Sequence, residues 1–137
     1  MKKQILFLMI IGILFSCNES ENKITGSWKL IEMTGNNQNS ESADNEMEWQ
    51  ETYQVNTDGT FLKSRNTDGV TITATGTYNI LELPDGKYLE FTYNNKSKII
   101  GSCSSNLKEE VFFQSKNIFT NTWIACDGPS LKYKKTD

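Results

Sequence analysis

A strict alternation of side chains along residues 70–80 constrains this chain more than any other feature. Apolar residues and glycine take one set of alternate positions and threonines take the other: Val70, Ile72, Ala74, Gly76, Tyr78 and Ile80 against Thr71, Thr73, Thr75 and Thr77. Period-two alternation is typical of a β-strand with one face in the core and one face in water. Residues 88–93 alternate in the same way, and no helical stripe is found from residue 24 onward.

Short turn sequences separate the alternating segments. Residues 56–59 and 66–69 are both Asn-Thr-Asp-Gly, and Asp-Gly suits the positive φ angles of a tight hairpin. Further turns are predicted at 83–86, 93–96 and 127–129. Each segment between turns is short and can only be a strand. The predicted strands are 25–33, 48–56, 60–66, 70–80, 88–93, 97–104, 107–115, 118–126 and 130–135.

The fold that follows is all-β. Short connections favour antiparallel neighbours, and a meander of eight or nine strands leaves open edges unless the sheet closes. We therefore predict an antiparallel up-and-down β-barrel of about eight strands over residues 24–137, with a two-sheet sandwich as the second choice. Residues 35–46 are polar and are predicted to be a disordered loop or a lid over one end of the barrel.

The first residues differ from the rest of the chain. Lys2 and Lys3 precede an apolar run over residues 5–15, which is shorter than the ~20 residues of a membrane-spanning helix and suits a signal peptide. The run ends at Leu14-Phe15-Ser16-Cys17, which resembles the lipobox of bacterial lipoproteins. That resemblance implies a signal peptide at 1–16 and a cysteine acylated with palmitate-type chains. An ordinary secretory signal with a chance cysteine, or a true membrane anchor, are the alternatives.

Residues 17–23 are then the lipidated Cys17 and a polar tether, and the predicted location is the outer membrane, attached by lipid. Glu19 and Glu21 resemble the acidic signals that send some lipoproteins to the cell surface, but a solvated linker explains them equally well. The side of the membrane, periplasmic or external, therefore stays open.

Several motifs of the barrel region resemble the lipocalin family, and in particular small lipocalin-like lipoproteins of bacteria. They are Gly26-Ser27-Trp28, Asp58-Gly59-Thr60-Phe61, Gly76-Thr77-Tyr78 and the turn at 81–86. The resemblance covers residues 24–135. It implies that Trp28 plugs the closed end of a barrel and that a basic residue of the last strand, Lys132 or Lys134, packs over it.

Two cysteines remain once Cys17 is assigned to lipid. Cys103 and Cys126 form an even pair in a chain predicted to be exported, which favours a structural disulfide. Two free thiols or a redox pair are the alternatives, although the spacing is far from Cys-x-x-Cys.

Composition excludes several kinds of chemistry. The chain has no histidine, which removes the common general base and most catalytic zinc sites. A formal charge of −3 argues against nucleic acid as a partner. The near pairs of acids are interpreted as surface charge: Glu48 with Glu51, Glu82 with Asp85, and Glu109 with Glu110. We predict no enzyme activity, no metal and no cofactor.

A binding protein is the predicted function. The first hypothesis is a membrane-anchored lipocalin-like lipoprotein that binds a small apolar or amphipathic ligand. The candidate lining residues are Trp49, Tyr53, Val55, Phe61, Ile72, Tyr78, Phe91, Tyr93, Phe113 and Trp123. The alternative is a surface adaptor or inhibitor whose loops bind a protein. A filled interior would favour the adaptor, and a lined void would favour the ligand carrier.

Overall fold

The computed structural model describes residues 24–35, 41–42, 47–104 and 106–137. These residues form antiparallel strands and one short 3-10 helix, Trp123–Cys126. The strands are β1 (Gly26–Thr34), β2 (Glu41–Ser42), β3 (Gln50–Val55), β4 (Thr60–Thr67), β5 (Val70–Leu83), β6 (Gly86–Tyr93), β7 (Lys108–Ser115), β8 (Ile118–Asn121) and β9 (Ser130–Lys135).

The sheet closes on itself through its first and last long strands. Each strand from β3 to β8 pairs with the next along the chain, and β1 pairs with both β3 and β9. In the register, Trp28 lies opposite Tyr53 on one side and Lys135 on the other. The two-residue β2 pairs with the end of β1, at Met33 and Thr34. The predicted all-β, up-and-down antiparallel barrel of eight strands is therefore confirmed.

The two ends of the barrel differ in what covers them. We call the end where β1 begins the closed end; it also holds the turns 56–59, 84–85 and 116–117. There Trp28 Nε1 donates a hydrogen bond to the Ile24 carbonyl at 2.9 Å, and the Thr136 N–H donates to the Ser27 carbonyl. The opposite, open end holds the turn 68–69, the 3-10 helix and the connection 94–107.

Glycine is required at two kinds of position. Asp68 and Gly69 both have positive φ, 51° and 81°, as the predicted tight hairpin between β4 and β5 demands. Gly76, inside β5, allows close packing instead, because a Cβ there would lie 1.9 Å from the Thr92 carbonyl oxygen and 2.9 Å from the Phe61 ring. Gly69 is thus needed for its positive φ, and Gly76 is needed because a side chain there would collide with its neighbours. Gly69 lies in a predicted turn and Gly76 in a predicted strand.

One predicted strand and the predicted ends of two others were wrong. Residues 97–104 form part of the connection 94–107, in which Ile99 is buried as a side chain of the core without joining the ladder. Strand β8 ends at Asn121, because the chain turns into the 3-10 helix where residues up to 126 were expected to be extended. Strand β5 runs on to Leu83, since its pairing with β6 continues to Gly86.

Two contacts hold the connection 94–107 in place. The Tyr93 N–H donates to the Leu107 carbonyl at 2.7 Å, and Cys103 forms the predicted disulfide with Cys126, with a Cα–Cα distance of 5.5 Å. The bridge joins this connection to the 3-10 helix and so ties two segments of the open end together.

Some predictions fall on residues that the structure does not describe. These are the signal peptide at 1–16, the lipidated Cys17 with its tether, and nearly all of the loop 35–46. In the described part of the chain, no helix has the length and apolarity that crossing a bilayer requires.

Candidate functional site

Among the described residues, side chains fill the interior of the barrel in two layers. The layer nearer the closed end is aromatic: the Trp28 ring lies 4.5 Å from Phe119, and Phe119 lies 5.0 Å from Tyr133 between ring centroids. Tyr53 stacks on Phe91 at 4.8 Å, and Phe91 lies 4.6 Å from Phe61. All six of these residues are at most 1% exposed.

The layer nearer the open end is charged. Lys63, which is 0% exposed, lies between two buried carboxylates. Its Nζ is 2.9 Å from Glu51 Oε1 and 3.0 Å from each oxygen of Glu109. Arg65 Nε donates to the other oxygen of Glu51. We call Glu51, Lys63, Arg65 and Glu109 the ion network; it contains two acids and two bases and is formally neutral.

Tyrosine hydroxyls complete the hydrogen bonding of both carboxylates. Tyr133 donates to Glu51 at 2.6 Å, and Tyr53 and Tyr93 each donate to Glu109 at 2.6 Å. The Gly101 N–H of the connection 94–107 adds a bond to Glu109 at 3.3 Å. Each carboxylate therefore accepts at least three hydrogen bonds, which offsets the cost of burying its charge.

The protonation states follow from this environment. Burial alone would raise the pKa of Glu51, but the charges of Lys63 and Arg65 and the Tyr133 hydroxyl hold it below the ordinary value of 4.5. Burial, together with the neighbouring carboxylates, raises the pKa of Tyr53 and Tyr133 well above 10.0 and raises that of Tyr93 as well. The carboxylate of Glu51 is thus ionised at neutral pH, and the phenols remain donors.

These acids correct the sequence interpretation. Glu51 and Glu109 were expected to be surface charges, and they are 1% and 2% exposed. A signal was present, because each continues the inward phase of its strand: Glu51 precedes Tyr53 and Val55 at alternate positions, as Glu109 precedes Val111. In β4, Lys63 and Arg65 likewise follow the buried Phe61 in phase.

A cleft of about 450 Å³ lies at the open end, above the ion network. Indole, aliphatic, hydroxyl and charged groups line it, from Glu48, Trp49, Arg65, Thr67, Val70, Ile72, Lys98 and Ile99. Its volume is within the usual range of small-molecule pockets, but it is open to solvent rather than enclosed in the barrel. We call it the rim cleft.

Arg65 joins the rim cleft to the ion network. Its guanidinium carbon lies 4.3 Å from the centroid of the Trp49 ring, a cation–π distance, while Nε bonds Glu51 below. A terminal nitrogen also approaches the Ile99 carbonyl at 3.5 Å. Arg65 is therefore fixed in orientation, and it fixes one wall of the cleft. Among the described residues, Trp49 Nε1 is the one buried side-chain nitrogen or oxygen without a hydrogen-bond partner.

The structure separates the predicted ligand-lining residues. Only Trp49 and Ile72 line the rim cleft. The packed core takes the majority of the others: Tyr53, Val55, Phe61, Phe91 and Tyr93 are buried within it, and Phe113 packs against it.

Two predicted lining residues lie near the ends of the barrel. Tyr78 packs against the core, and its hydroxyl donates to the Asn56 carbonyl at the closed end, at 2.7 Å. Trp123 lies at the open end, where a Cβ on Gly101 or Gly128 would meet its ring at 2.9 Å or less.

The basic residue that was expected to pack over Trp28 is not where the resemblance implied. Trp28 is fully buried, as predicted, and its ring contacts are Phe113 and Phe119. Lys132 bonds Glu32 on the outer wall at 2.7 Å, and Lys134 is exposed. Both lysines alternate with the inward-facing Leu131 and Tyr133, so the strand phase places them on the opposite side of the sheet from the indole.

Comparisons with known proteins add no assignment: family models, curated proteins and solved structures were each searched, and none matches this chain.

Proposed function

We propose that this chain is a lipid-anchored, non-enzymatic binding protein of the lipocalin-like kind, which holds a small amphipathic ligand in the rim cleft. The observation that carries the proposal is the rim cleft itself, where an indole, aliphatic side chains and two cations meet over a fixed base. Apolar walls with a few oriented polar groups are the usual composition of a small-molecule site. The anchor is supported by the lipobox-like residues ending at Cys17.

The filled interior changes the form of the ligand hypothesis. A ligand enclosed among Tyr53, Phe61 and Phe91 would have to displace packed aromatic rings. The ring centroids of Tyr53 and Phe61 lie 4.8 and 4.6 Å from that of Phe91. Displacing such a packed cluster costs several kcal/mol, because each ring loses its contacts and its burial. The rim cleft needs no such rearrangement, so it is the site we assign to the ligand.

Titration of a Cys17→Ser form with a fluorescent fatty-acid probe tests the proposal. We expect saturable binding, with energy transfer from tryptophan to the probe that falls in Trp49→Phe and persists in part through Trp28 and Trp123. Ile72→Gln places an amide in the cleft and is expected to weaken binding about tenfold, equivalent to roughly 1.4 kcal/mol. Leu62→Gln is the matched control, because Leu62 is 39% exposed and outside the cleft lining.

Equal affinity in the Ile72→Gln and Leu62→Gln proteins would contradict binding at the rim cleft. Absence of saturable binding to fatty-acid and retinoid probes alike would contradict the ligand hypothesis as a whole.

A protein-binding adaptor is the second candidate, and the filled interior favours it. The open end then supplies the interface through the turn 68–69 and the connection 94–107. A photo-crosslinking residue at Asp68, which is exposed at the open end, should capture a partner in cells. The same residue at Asp85, exposed in a closed-end turn, should not. Equal capture from both positions would contradict an open-end interface.

A further inference from the structure

Charge is distributed unevenly over the outer wall of the barrel. The outward positions of β4 and β5 are uncharged over most of their length: Leu62, Ser64, Asn66, Thr71, Thr73, Thr75 and Thr77. The outer wall formed by β8, β9 and β1 carries lysines instead. In a chain with a formal charge of −3, a cationic wall requires an explanation.

The lysines of this wall form one group that begins at the closed end and continues along β9. We call Lys29, Lys116, Lys132 and Lys134 the lysine face. Lys29 in β1 lies directly opposite Lys134 in β9, and both are exposed. Lys116 is exposed in the turn 116–117, whose Asn117 carbonyl accepts a hydrogen bond from the backbone of β9.

The face has a surplus of positive charge. Lys132 is paired with Glu32 at 2.7 Å, and the Asp137 side chain accepts a hydrogen bond from the Ser27 N–H. Within the described ranges, no salt bridge joins Lys29, Lys116 or Lys134 to an acid. Like charges directly across two strands are destabilising, so the Lys29–Lys134 arrangement costs the isolated barrel stability. A binding partner with negative charge would remove that cost.

The position of the face indicates the partner. The chain enters the barrel at Ile24, at the closed end, only seven residues after Cys17. Seven residues reach at most about 25 Å. An acyl chain on Cys17 therefore holds the closed end within that distance of the bilayer, where a small rotation brings exposed lysines within a Debye length, about 8 Å, of lipid phosphates.

A partly buried isoleucine lies among these lysines. Ile118 of β8 is opposite Lys134 in the register and points outward, since the buried Phe119 takes the inward position next to it. Cations around an apolar side chain are a combination that suits the headgroup region of a membrane.

We propose that the lysine face binds the anionic lipid headgroups of the membrane that holds Cys17, so that the barrel lies against the bilayer through β9 and β1. This proposal rests on the lipid anchor of the proposed function. It leaves the rim cleft, at the other end of the barrel, open to its ligand.

Amine labelling of the full lipidated protein tests the proposal. The protein is reconstituted in vesicles of phosphatidylcholine alone or of phosphatidylcholine with phosphatidylglycerol, and each lysine is followed by mass spectrometry. With anionic lipid at low salt, labelling of Lys29 and Lys134 should slow about fivefold or more, as the attraction of a lysine to such a surface predicts. The slowing should disappear at high salt, and Lys98 at the open end should not change.

Charge variants make the test independent of labelling chemistry. Energy transfer from tryptophan to a dansyl headgroup should fall in Lys29→Gln/Lys134→Gln. It should persist in Lys96→Gln/Lys108→Gln, which removes the same charge from exposed residues at the open end that do not line the rim cleft.

Equal labelling of Lys29 in the two kinds of vesicle would overturn the proposal. Protection in native membranes that is absent from anionic vesicles would assign the face to a protein and also overturn it. The same spectra report the acyl mass on Cys17. An unacylated Cys17 contradicts the anchor and the proposal together, whereas an acylated Cys17 with unprotected lysines contradicts the proposal alone.

Discussion

The two layers of the barrel interior are equally buried but are stabilised by different physics. In the closed-end layer, Trp28, Phe119 and Phe91 bury apolar area and pack ring against ring. In the open-end layer, Lys63 and Glu109 are buried to the same degree, yet each buried charge is stable only because the opposite charge lies beside it. Loss of one ring leaves a cavity, whereas loss of one ion leaves a charge without a partner.

This difference has a consequence for the rim cleft. A buried ion pair adds little net stability compared with a hydrophobic pair, because desolvation cancels most of the attraction. The ion network does, however, impose one geometry, since Arg65 must bond Glu51 while it stacks on Trp49. The open end is thus a fixed base for the cleft, and the closed end supplies the larger share of hydrophobic stabilisation.

The largest expected effect comes from removing the central cation. Lys63→Met keeps much of the side-chain volume but leaves Glu51 and Glu109 buried without it, and should lower the free energy of unfolding by about 3–5 kcal/mol. Chemical denaturation measures the change. Lys108→Met is the control, because Lys108 pairs with Glu90 while 48% exposed, and should cost at most about 1 kcal/mol. Equal losses in the two variants would contradict a dry ion network.

Opening the disulfide is expected to have the next largest effect. Cys103 and Cys126 are 23 residues apart, and a loop of that size is worth about 3 kcal/mol in the chain-entropy account. Cys103→Ala/Cys126→Ala should therefore lower the midpoint of denaturation while the ion network stays intact. Denaturation of the wild-type protein with and without a reductant compares the oxidised and reduced forms without any substitution. A double variant as stable as the oxidised protein would show that the open end does not need the bridge.

Two tyrosine substitutions compare the layers directly. Tyr133→Phe removes a hydroxyl that donates to the ionised Glu51, and should cost about 1.5–3 kcal/mol. Tyr78→Phe removes a hydroxyl that donates to the neutral Asn56 carbonyl at the closed end, and should cost about 0.5–1.5 kcal/mol. Urea titrations of the two proteins rank them, and the reverse ranking would contradict the assignment of charge to Glu51.

The prediction with the smallest effect concerns acid. Because the folded-state pKa of Glu51 is lowered, its contribution to stability is complete above the ordinary value of 4.5 and is lost as the pH falls through the folded value. The loss is small, since burial opposes the pairing that lowers the pKa. Glu51→Gln should flatten this part of the pH–stability curve. An unchanged acid slope in that variant would contradict the lowered pKa.

Much of the fold was predictable, because local signals agreed with one another. The alternation over 70–80 and the Asp-Gly turns at 58–59 and 68–69 describe β5 and its neighbours closely. The even pair of cysteines also led to the disulfide. The connection 94–107 was less accessible, because Ile99 and Ile100 are apolar enough to suggest a strand although Gly101 and the bridge at Cys103 hold them outside the ladder.

The charged layer was missed for a physical reason. A single Glu or Lys is almost always exposed unless a partner is buried with it, and the partners here come from β3, β4 and β7. A local pattern cannot show that Glu51, Lys63 and Glu109 meet, although their phase with buried neighbours points inward. The rim cleft was missed likewise, because Trp49 and Arg65 meet across the β3–β4 pair and Ile99 reaches them from the connection 94–107, far along the chain.

Native-state amine labelling of Lys63 tests the central claim most directly, which is that the open-end layer is filled and dry. Under conditions that modify Lys29, Lys98 and Lys116, Lys63 should remain unmodified and should react only when denaturant unfolds the barrel. Labelling of Lys63 in the native protein at the rate of those exposed lysines would show an interior open to water, and would contradict both the ion network and the placement of the ligand at the rim.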